Sequence, residues 1–283
     1  MSRMSRWVCC RWREEVELEN ELTGKVAIVT GSASGIGRAT VEKLHEQGAA
    51  VVIADVDRAQ GEDLADSLGD RATFHRTDVA DPDQVSGLVD RAVGVFGGLH
   101  IMVNNAAVSS ALRGLLKDDF EDFDRIMRVN VLGVMAGTKF AARHMAEAGG
   151  GSIVNMASIG GIQAGGGVMT YRASKAAVIH FTKSAAIELA RYAIRVNAIA
   201  PGSIPTPLLA SAAIDKTPEE VEQYERSIRE MMRADRPLQR EGTPGDVAEA
   251  VAYLAGERAR YITGIVLPVD GGTAAGKVTR PRP

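Results

Sequence analysis

Cysteine is almost missing from this 283-residue chain: Cys9 and Cys10 are the only two, and they are adjacent. Adjacent thiols build neither a disulfide framework nor a cysteine zinc cage. The five histidines (His45, His75, His100, His144 and His180) lack the H-E-x-x-H type of spacing, so no metal is expected. No uninterrupted apolar run approaches the roughly 18 residues of a membrane span. Neither charge dominates, with 33 Lys and Arg against 36 Asp and Glu and a formal net charge of -3. That balance gives no electrostatic case for nucleic acid or an anionic membrane. The expectation left standing is a soluble, cytoplasmic protein kept in a reducing compartment.

The ends carry little apolar content. Arg3, Arg6, Arg11 and Arg13 precede Glu14, Glu15, Glu17, Glu19 and Glu21, and only Trp7-Val8-Cys9-Cys10 is apolar between them. A secretory signal needs about 7–15 apolar residues after its basic start. Residues 1–20 therefore read as a disordered extension, one that a translation start assigned upstream of Val16 would explain. Residues 276–283 read as a tail.

Between these ends, residues 21–275 form one expected domain. Seven short β-branched runs recur: Val26–Val29, Val51–Ala54, Ala72–Arg76, Ile101–Asn104, Ser152–Met156, Arg195–Ile199 and Ile265–Val269. Most are continuously apolar, as strands covered on both faces are. Helical spacing fills the gaps, over Ile36–Gln47, Arg58–Ser67, Pro82–Val95, Phe120–Ala148, Tyr171–Tyr192 and Pro244–Ala255. Strand–helix alternation of this kind predicts an α/β fold: a single doubly wound Rossmann domain, with a seven-stranded parallel sheet and helices on both faces. The strandless stretch from Pro201 to Arg236 contains a capping signal, Thr217-Pro218-Glu219-Glu220, and an apolar stripe of Val221, Tyr224, Ile228, Met231 and Met232. It reads either as ordinary packing or as a helical lid over about 203–236.

Thr30-Gly31-Ser32-Ala33-Ser34-Gly35-Ile36-Gly37 follows the first strand and opens the first helix. A chain reversing there, with its backbone pressed against a pyrophosphate and free helix amides facing it, needs glycine. In a chain with 30 Gly the glycine spacing alone is weak, and Thr30 with the strand–turn–helix placement carries the specificity. Asp55 ends the second strand, where a carboxylate accepts both adenosine-ribose hydroxyls and repels a 2′-phosphate. Ser34 and Val56 are neutral, Arg58 is the nearest cation, and NAD is expected over NADP.

Tyr171 and Lys175 stand at i and i+4, on one helix face. An ammonium about 4 Å from a phenol, at an effective dielectric of about 20, favours the phenolate by roughly 4 kcal/mol. This pairing predicts a Tyr171 pKa as much as about three units under its ordinary value near 10, within reach of general acid–base work.

The ordered motifs resemble the short-chain dehydrogenase/reductase family from about Leu22 to Thr273. Thr30 to Gly37 resembles its T-G-x-x-x-G-x-G turn, and Tyr171 to Lys175 its Y-x-x-x-K pair. Ser158, thirteen residues earlier, matches the family serine, and Asn130 in Val129-Asn130-Val131 matches its helix-four asparagine. Pro201-Gly202-Ser203-Ile204-Pro205-Thr206 resembles P-G-x-x-x-T, and Asn104-Asn105-Ala106-Ala107 resembles N-N-A-G with Ala107 in place of the glycine. The resemblance implies a catalytic set of Asn130, Ser158, Tyr171 and Lys175. Tyr171 would be the general acid/base, Lys175 its pKa-lowering partner on the nicotinamide ribose, Ser158 a donor to the reacting oxygen, and Asn130 the holder of a water leading from Lys175 to solvent. It implies a cofactor set of Gly31, Ser34, Gly35, Ile36, Gly37, Asp55, Asp78, Val79, Asn104, Ala106, Tyr171, Lys175, Pro201, Gly202, Ile204 and Thr206.

The expected reaction is hydride transfer between NAD(H) and a secondary alcohol or ketone. Ile159, Ile162, Ala164, Val168, Met169, Leu208 and Leu209 make an apolar pocket that favours a bulky substrate of steroid, terpenoid or cyclic diol type. A 3-oxoacyl thioester reductase is the alternative, and a non-catalytic dinucleotide-binding scaffold is the alternative of another class. The small residues Gly133, Gly137, Ala141, Ala177 and Ala185 read either as sheet packing or as the helix bundle of a homotetramer, which the resemblance implies.

Overall fold

Seven strands line up parallel in the order β3-β2-β1-β4-β5-β6-β7. They are β1 Val26–Thr30, β2 Ala50–Asp55, β3 Ala72–Arg76, β4 Ile101–Asn104, β5 Gly151–Met156, β6 Ile194–Pro201 and β7 Val266–Val269. The computed structural model describes residues 20–110, 112–210 and 236–276, together with Gln223, Arg226 and Glu230. The apolar stripe of the expected lid, and most of the two ends, lie outside the described residues.

Alternation along β1 shows why both sheet faces are apolar. Ala27 and Val29 join a cluster with Val41 and Leu44 of α1 (Gly35–Glu46) and Val247 and Val251 of the helix Pro244–Ala255. Val26 and Ile28 join a second cluster on the other face. There they meet Leu88 of α3 (Pro82–Phe96), Met145 of α5 (Gly133–Glu147) and Ala185 of α6 (Met169–Leu189). α2 (Arg58–Leu68) and α3 begin on aspartate caps, Asp57 accepting from the Gln60 amide and Asp81 from the Asp83 amide. Among the described residues no helix is long and apolar enough to cross a membrane.

The expected long helix from Phe120 is broken up. Phe120 has φ of 60°, helix α4 covers only Phe123–Met127, and a π-helical turn at Arg128–Leu132 joins it to α5. Such a turn bulges one residue out of register, and here it carries Asn130. The small residues of α5 face inward. A Cβ on Gly133 would lie 2.9 Å from Val79, and one on Gly137 would lie 2.0 Å from the Asn104 side chain. Ala141 and Ala185 are buried in the core as well. Close packing on the sheet accounts for these four, while Ala177 is only partly buried.

Strand order reverses between β1 and β4. The chain leaves β1 toward β2 and β3, then crosses back to β4. Ligands of doubly wound sheets sit in the crevice this leaves at the carboxyl ends of the strands.

Candidate active site

A cleft of about 640 Å³ opens at that crevice. Gly31 and Ser34 to Gly37 form its floor. Asp55 and Val56 line it after β2, Thr77 to Val79 after β3, Asn105 to Ser109 after β4, and Thr206 to Leu208 after β6. The glycines are there for room and conformation. Gly31 and Gly35 have φ of 61° and 55°. A Cβ on Gly31 would come within 2.6 Å of the Ala106 backbone, and one on Gly37 within 2.1 Å of the Gly31 carbonyl. Thr30 ties this turn to the loop after β4: its hydroxyl accepts from the Asn105 amide at 3.0 Å and the Ala106 amide at 3.1 Å. Asn105 answers by donating to the carbonyls of Thr30 and Gly31 at 2.9 and 2.8 Å.

Ser34 stands at the N-cap of α1 but makes no side-chain cap, so the first-turn amides keep their donors for a ligand. Asp55 accepts from the Ala33 amide at 2.9 Å and the Asp57 amide at 3.1 Å, which fixes its carboxylate beside the turn. Asp57, and not Asp55, caps α2. The nearby arginines are engaged, Arg38 with Glu42 at 2.9 Å and Arg58 with Glu62 at 3.1 Å. A narrow glycine floor, free helix amides and a fixed carboxylate suit a dinucleotide such as NAD.

Other expected cofactor residues divide. Asp78, Val79, Ala106 and Thr206 line the cleft. Asn104 does not: strand alternation turns it inward, where it donates to Asn155 at 2.8 Å and Thr138 at 3.2 Å. Its neighbour Asn105 takes the cleft-facing position. Ile204 also turns inward and is buried in the core. Pro201 pairs with Val269 at the end of β6, and Gly202 leaves space for Asp270, so neither lines the cleft. Ala107 has no positive φ, so its substitution for glycine introduces no backbone strain.

The catalytic candidates come together with one another, and none of them is among the residues that line the cleft. β5 delivers Ser158, whose hydroxyl accepts from the Gly160 amide at 3.0 Å. α6 delivers Tyr171 and Lys175, with the ammonium 5.7 Å from the phenol ring centroid. The ammonium donates to the Met156 carbonyl at 2.8 Å. Lys175 is 1% exposed, and burial lowers its pKa to about 8. The expected depression of Tyr171 is not what the protein shows. Burial pushes the phenol up, and the Ser158 hydroxyl and the Arg172 charge pull it only part of the way back. Lys175 lies under the ring and addresses a backbone carbonyl, so its ammonium does not solvate the phenol oxygen.

Asn130 is fully buried on its π turn. Its amide accepts from the Val108 N–H and donates to the Val108 carbonyl, each at 2.9 Å, and donates to Ser174 at 3.0 Å. Ser174 in turn donates to the Tyr171 carbonyl at 2.7 Å. Asn130 thus links the cleft wall to the helix that carries Tyr171.

The apolar pocket residues also divide. Leu208 lines the cleft, Ile162 is exposed, and Ile159 packs instead with Ala157 and Val178. Leu112 was not expected: it covers Gly167, where a Cβ would lie 2.2 Å from its side chain. Long-range packing brings it there, and no local motif marks it.

A family model described as Enoyl-(Acyl carrier protein) reductase matches residues 31–274. The chain belongs to the short-chain dehydrogenase/reductase family. Among relatives of this dehydrogenase/reductase is cis-4-hydroxycyclohexanecarboxylate dehydrogenase of Sinomonas cyclohexanicum. It is 43% identical over 255 residues, covering 89% of this chain and 97% of that one. The 3-alpha-(or 20-beta)-hydroxysteroid dehydrogenase of Mycobacterium tuberculosis is 38% identical over 260 residues, covering 92% and 93%. The crystal structure of levodione reductase superimposes with a TM-score of 0.83 at 32% identity, covering 90% of this chain and 99% of that one. Such relatives are named as dehydrogenases, and this short-chain dehydrogenase/reductase is an oxidoreductase.

Proposed function

We propose that the chain transfers hydride between NAD(H) and a bulky, apolar secondary alcohol or ketone, of steroid, terpenoid or cyclic diol type. The observation that carries this reading is the convergence of Ser158, Tyr171 and Lys175, joined through Ser174 and Asn130 to Val108 in the wall of the glycine-floored cleft. Asp55 would accept the adenosine-ribose hydroxyls. Its carboxylate, with Arg38 and Arg58 both engaged by glutamates, favours NAD over NADP. Gly31, Ser34 to Gly37, Asp78, Val79, Asn105, Ala106 and Thr206 would hold the rest of the dinucleotide.

A bound nicotinamide supplies the hydride donor or acceptor and, when oxidised, a positive charge that favours the phenolate. Tyr171 holds the proton at its phenol oxygen and exchanges it with the reacting oxygen. Ser158, already next to that phenol, donates to the same oxygen as charge develops on it. Lys175 keeps an ammonium under the ring for the nicotinamide ribose, and Asn130 fixes the distance between cleft wall and α6. Leu112, Ile162, Val168 and Leu208 would bound the space over the reacting carbon with apolar surface, and cyclic alcohols in the relatives' names support that substrate class. We further infer a cytoplasmic homotetramer, for which light scattering at micromolar concentration gives the mass.

The deciding experiment measures NAD+ reduction by the purified chain across cyclic secondary alcohols, hydroxysteroids and a 3-hydroxyacyl thioester, with NADH and NADPH titrated in parallel. Turnover of a cyclic or steroidal alcohol, with NADH bound more tightly, is expected. Tighter NADPH binding overturns the cofactor assignment, thioester-only turnover the substrate assignment, and cofactor binding with no turnover the enzyme assignment.

A further inference from the structure

Arg172 follows the general acid/base candidate directly but points to a different neighbour. Its guanidinium donates to the Gln163 carbonyl at 3.2 Å and lies in a slot of the loop between Ser158 and α6. Glycine makes that slot. A Cβ on Gly165 would stand 2.6 Å from one guanidinium nitrogen, and a Cβ on Gly160 3.5 Å from the arginine side chain. Its Nε is buried without a partner.

The loop it fills ends on strain. Val168, at the N-cap of α6, has φ of 36° and ψ of 46°, a left-handed conformation that β-branched residues rarely adopt. Such a residue persists only where its surroundings over-determine it. Leu112 presses on Gly167 from outside, and Arg172 holds Gln163 from inside.

We propose that Arg172 is a positioning residue: it clamps the 159–167 loop, which bounds the substrate space, onto α6 and keeps a fixed cation beside Tyr171. The groups facing Tyr171 are Lys175 and Arg172 on its own helix and the Ser158 hydroxyl from the loop. Lys175 is held by a backbone carbonyl, and Arg172 adds a second cation to the surroundings of the phenol. The clamp stands on geometry alone, whereas its effect on turnover rests on the function proposed above.

Arg172→Met removes fork and charge together, while Arg172→Lys removes the fork and keeps the charge. The first readout is the ultraviolet tyrosinate titration of Tyr171, taken as the difference from a matching Tyr171→Phe protein, with no cofactor or alcohol present. Arg172→Met should raise the Tyr171 midpoint by about half to one pH unit, and Arg172→Lys should move it by less than half of that. The second readout is the pH profile of cyclohexanol oxidation by NAD+. Its rising limb should shift with the Met variant by the same amount, and KM should rise several-fold in both variants. An unmoved midpoint in folded Arg172→Met overturns the electrostatic role, and an unchanged KM in both variants overturns the clamp. If Arg172→Met fails to fold, Gly165→Ala, which displaces the guanidinium without removing it, must raise both midpoint and KM or the proposal falls. A shifted midpoint in a protein whose wild type oxidises no alcohol supports the Arg172 assignment and refutes the function instead.

Discussion

The two halves of the site are made of different materials. On the β1–β4 side the protein offers mostly backbone: glycines with no Cβ, uncapped helix amides and two asparagine-to-carbonyl bonds, with Asp55 fixed beside the turn. On the α6 side the protein offers titratable side chains in a dry environment, a lysine pulled down to about 8 and a phenol pushed up. The first half binds by shape, and in the second burial disfavours the charged form of both groups. Binding and chemistry should therefore fail separately when each half is altered.

The largest expected effect breaks chemistry alone. Tyr171→Phe should lower turnover by at least about a hundredfold, the scale of general acid–base catalysis, while the NADH dissociation constant measured by fluorescence stays within about twofold. Next comes the stability cost of the buried lysine. Between about pH 8 and 10.5 the unfolded chain binds more protons at Lys175 than the folded one, so stability climbs with pH across that window. Below about 8 the folded protein bears the full penalty, on the order of 3 kcal/mol. Lys175→Met should abolish turnover yet raise unfolding free energy at pH 7 by about 2 kcal/mol, since it also leaves the Met156 carbonyl without a donor. Urea melts at pH 7 and pH 10 should show that gain shrinking at the higher pH.

Smaller effects belong to the other half. Gly37→Ala puts a methyl 2.1 Å from the Gly31 carbonyl and should cost about 1–3 kcal/mol of stability, with NADH binding lost before the protein melts. Calorimetry with and without NADH separates the two. Asp55→Asn should be mildest: the two backbone N–H groups bond to different carboxylate oxygens, so the amide oxygen keeps one contact and loses the other, and the preference for NADH over NADPH should fall by about tenfold. Competitive titration of the two cofactors checks this.

Most strands were legible because burial on both faces leaves an unbroken apolar run, and five of the six expected helices because 3.6-residue spacing, in places with a cap, marks them locally. Phe120 to Leu132 was not, since apolar spacing does not reveal a π turn or a left-handed phenylalanine. Within the site, Gly31, Gly37 and Asp55 could be placed from sequence because backbone room and a strand-end carboxylate are local needs. Asn104 and Asn105 could not be told apart, because strand alternation and a partner 51 residues away, Asn155, decide which one turns inward. Leu112 and the slot around Arg172 come from chain segments meeting in space.

Order of residues by itself determined the doubly wound sheet and the i, i+4 pairing of Tyr171 with Lys175. Only tertiary structure decided what that pair is worth, because a pKa depends on how much water remains and on which oxygen an ammonium addresses. Here packing removes the water and gives the ammonium the Met156 carbonyl, so the phenol's charge is governed by neighbours that helix spacing alone does not name.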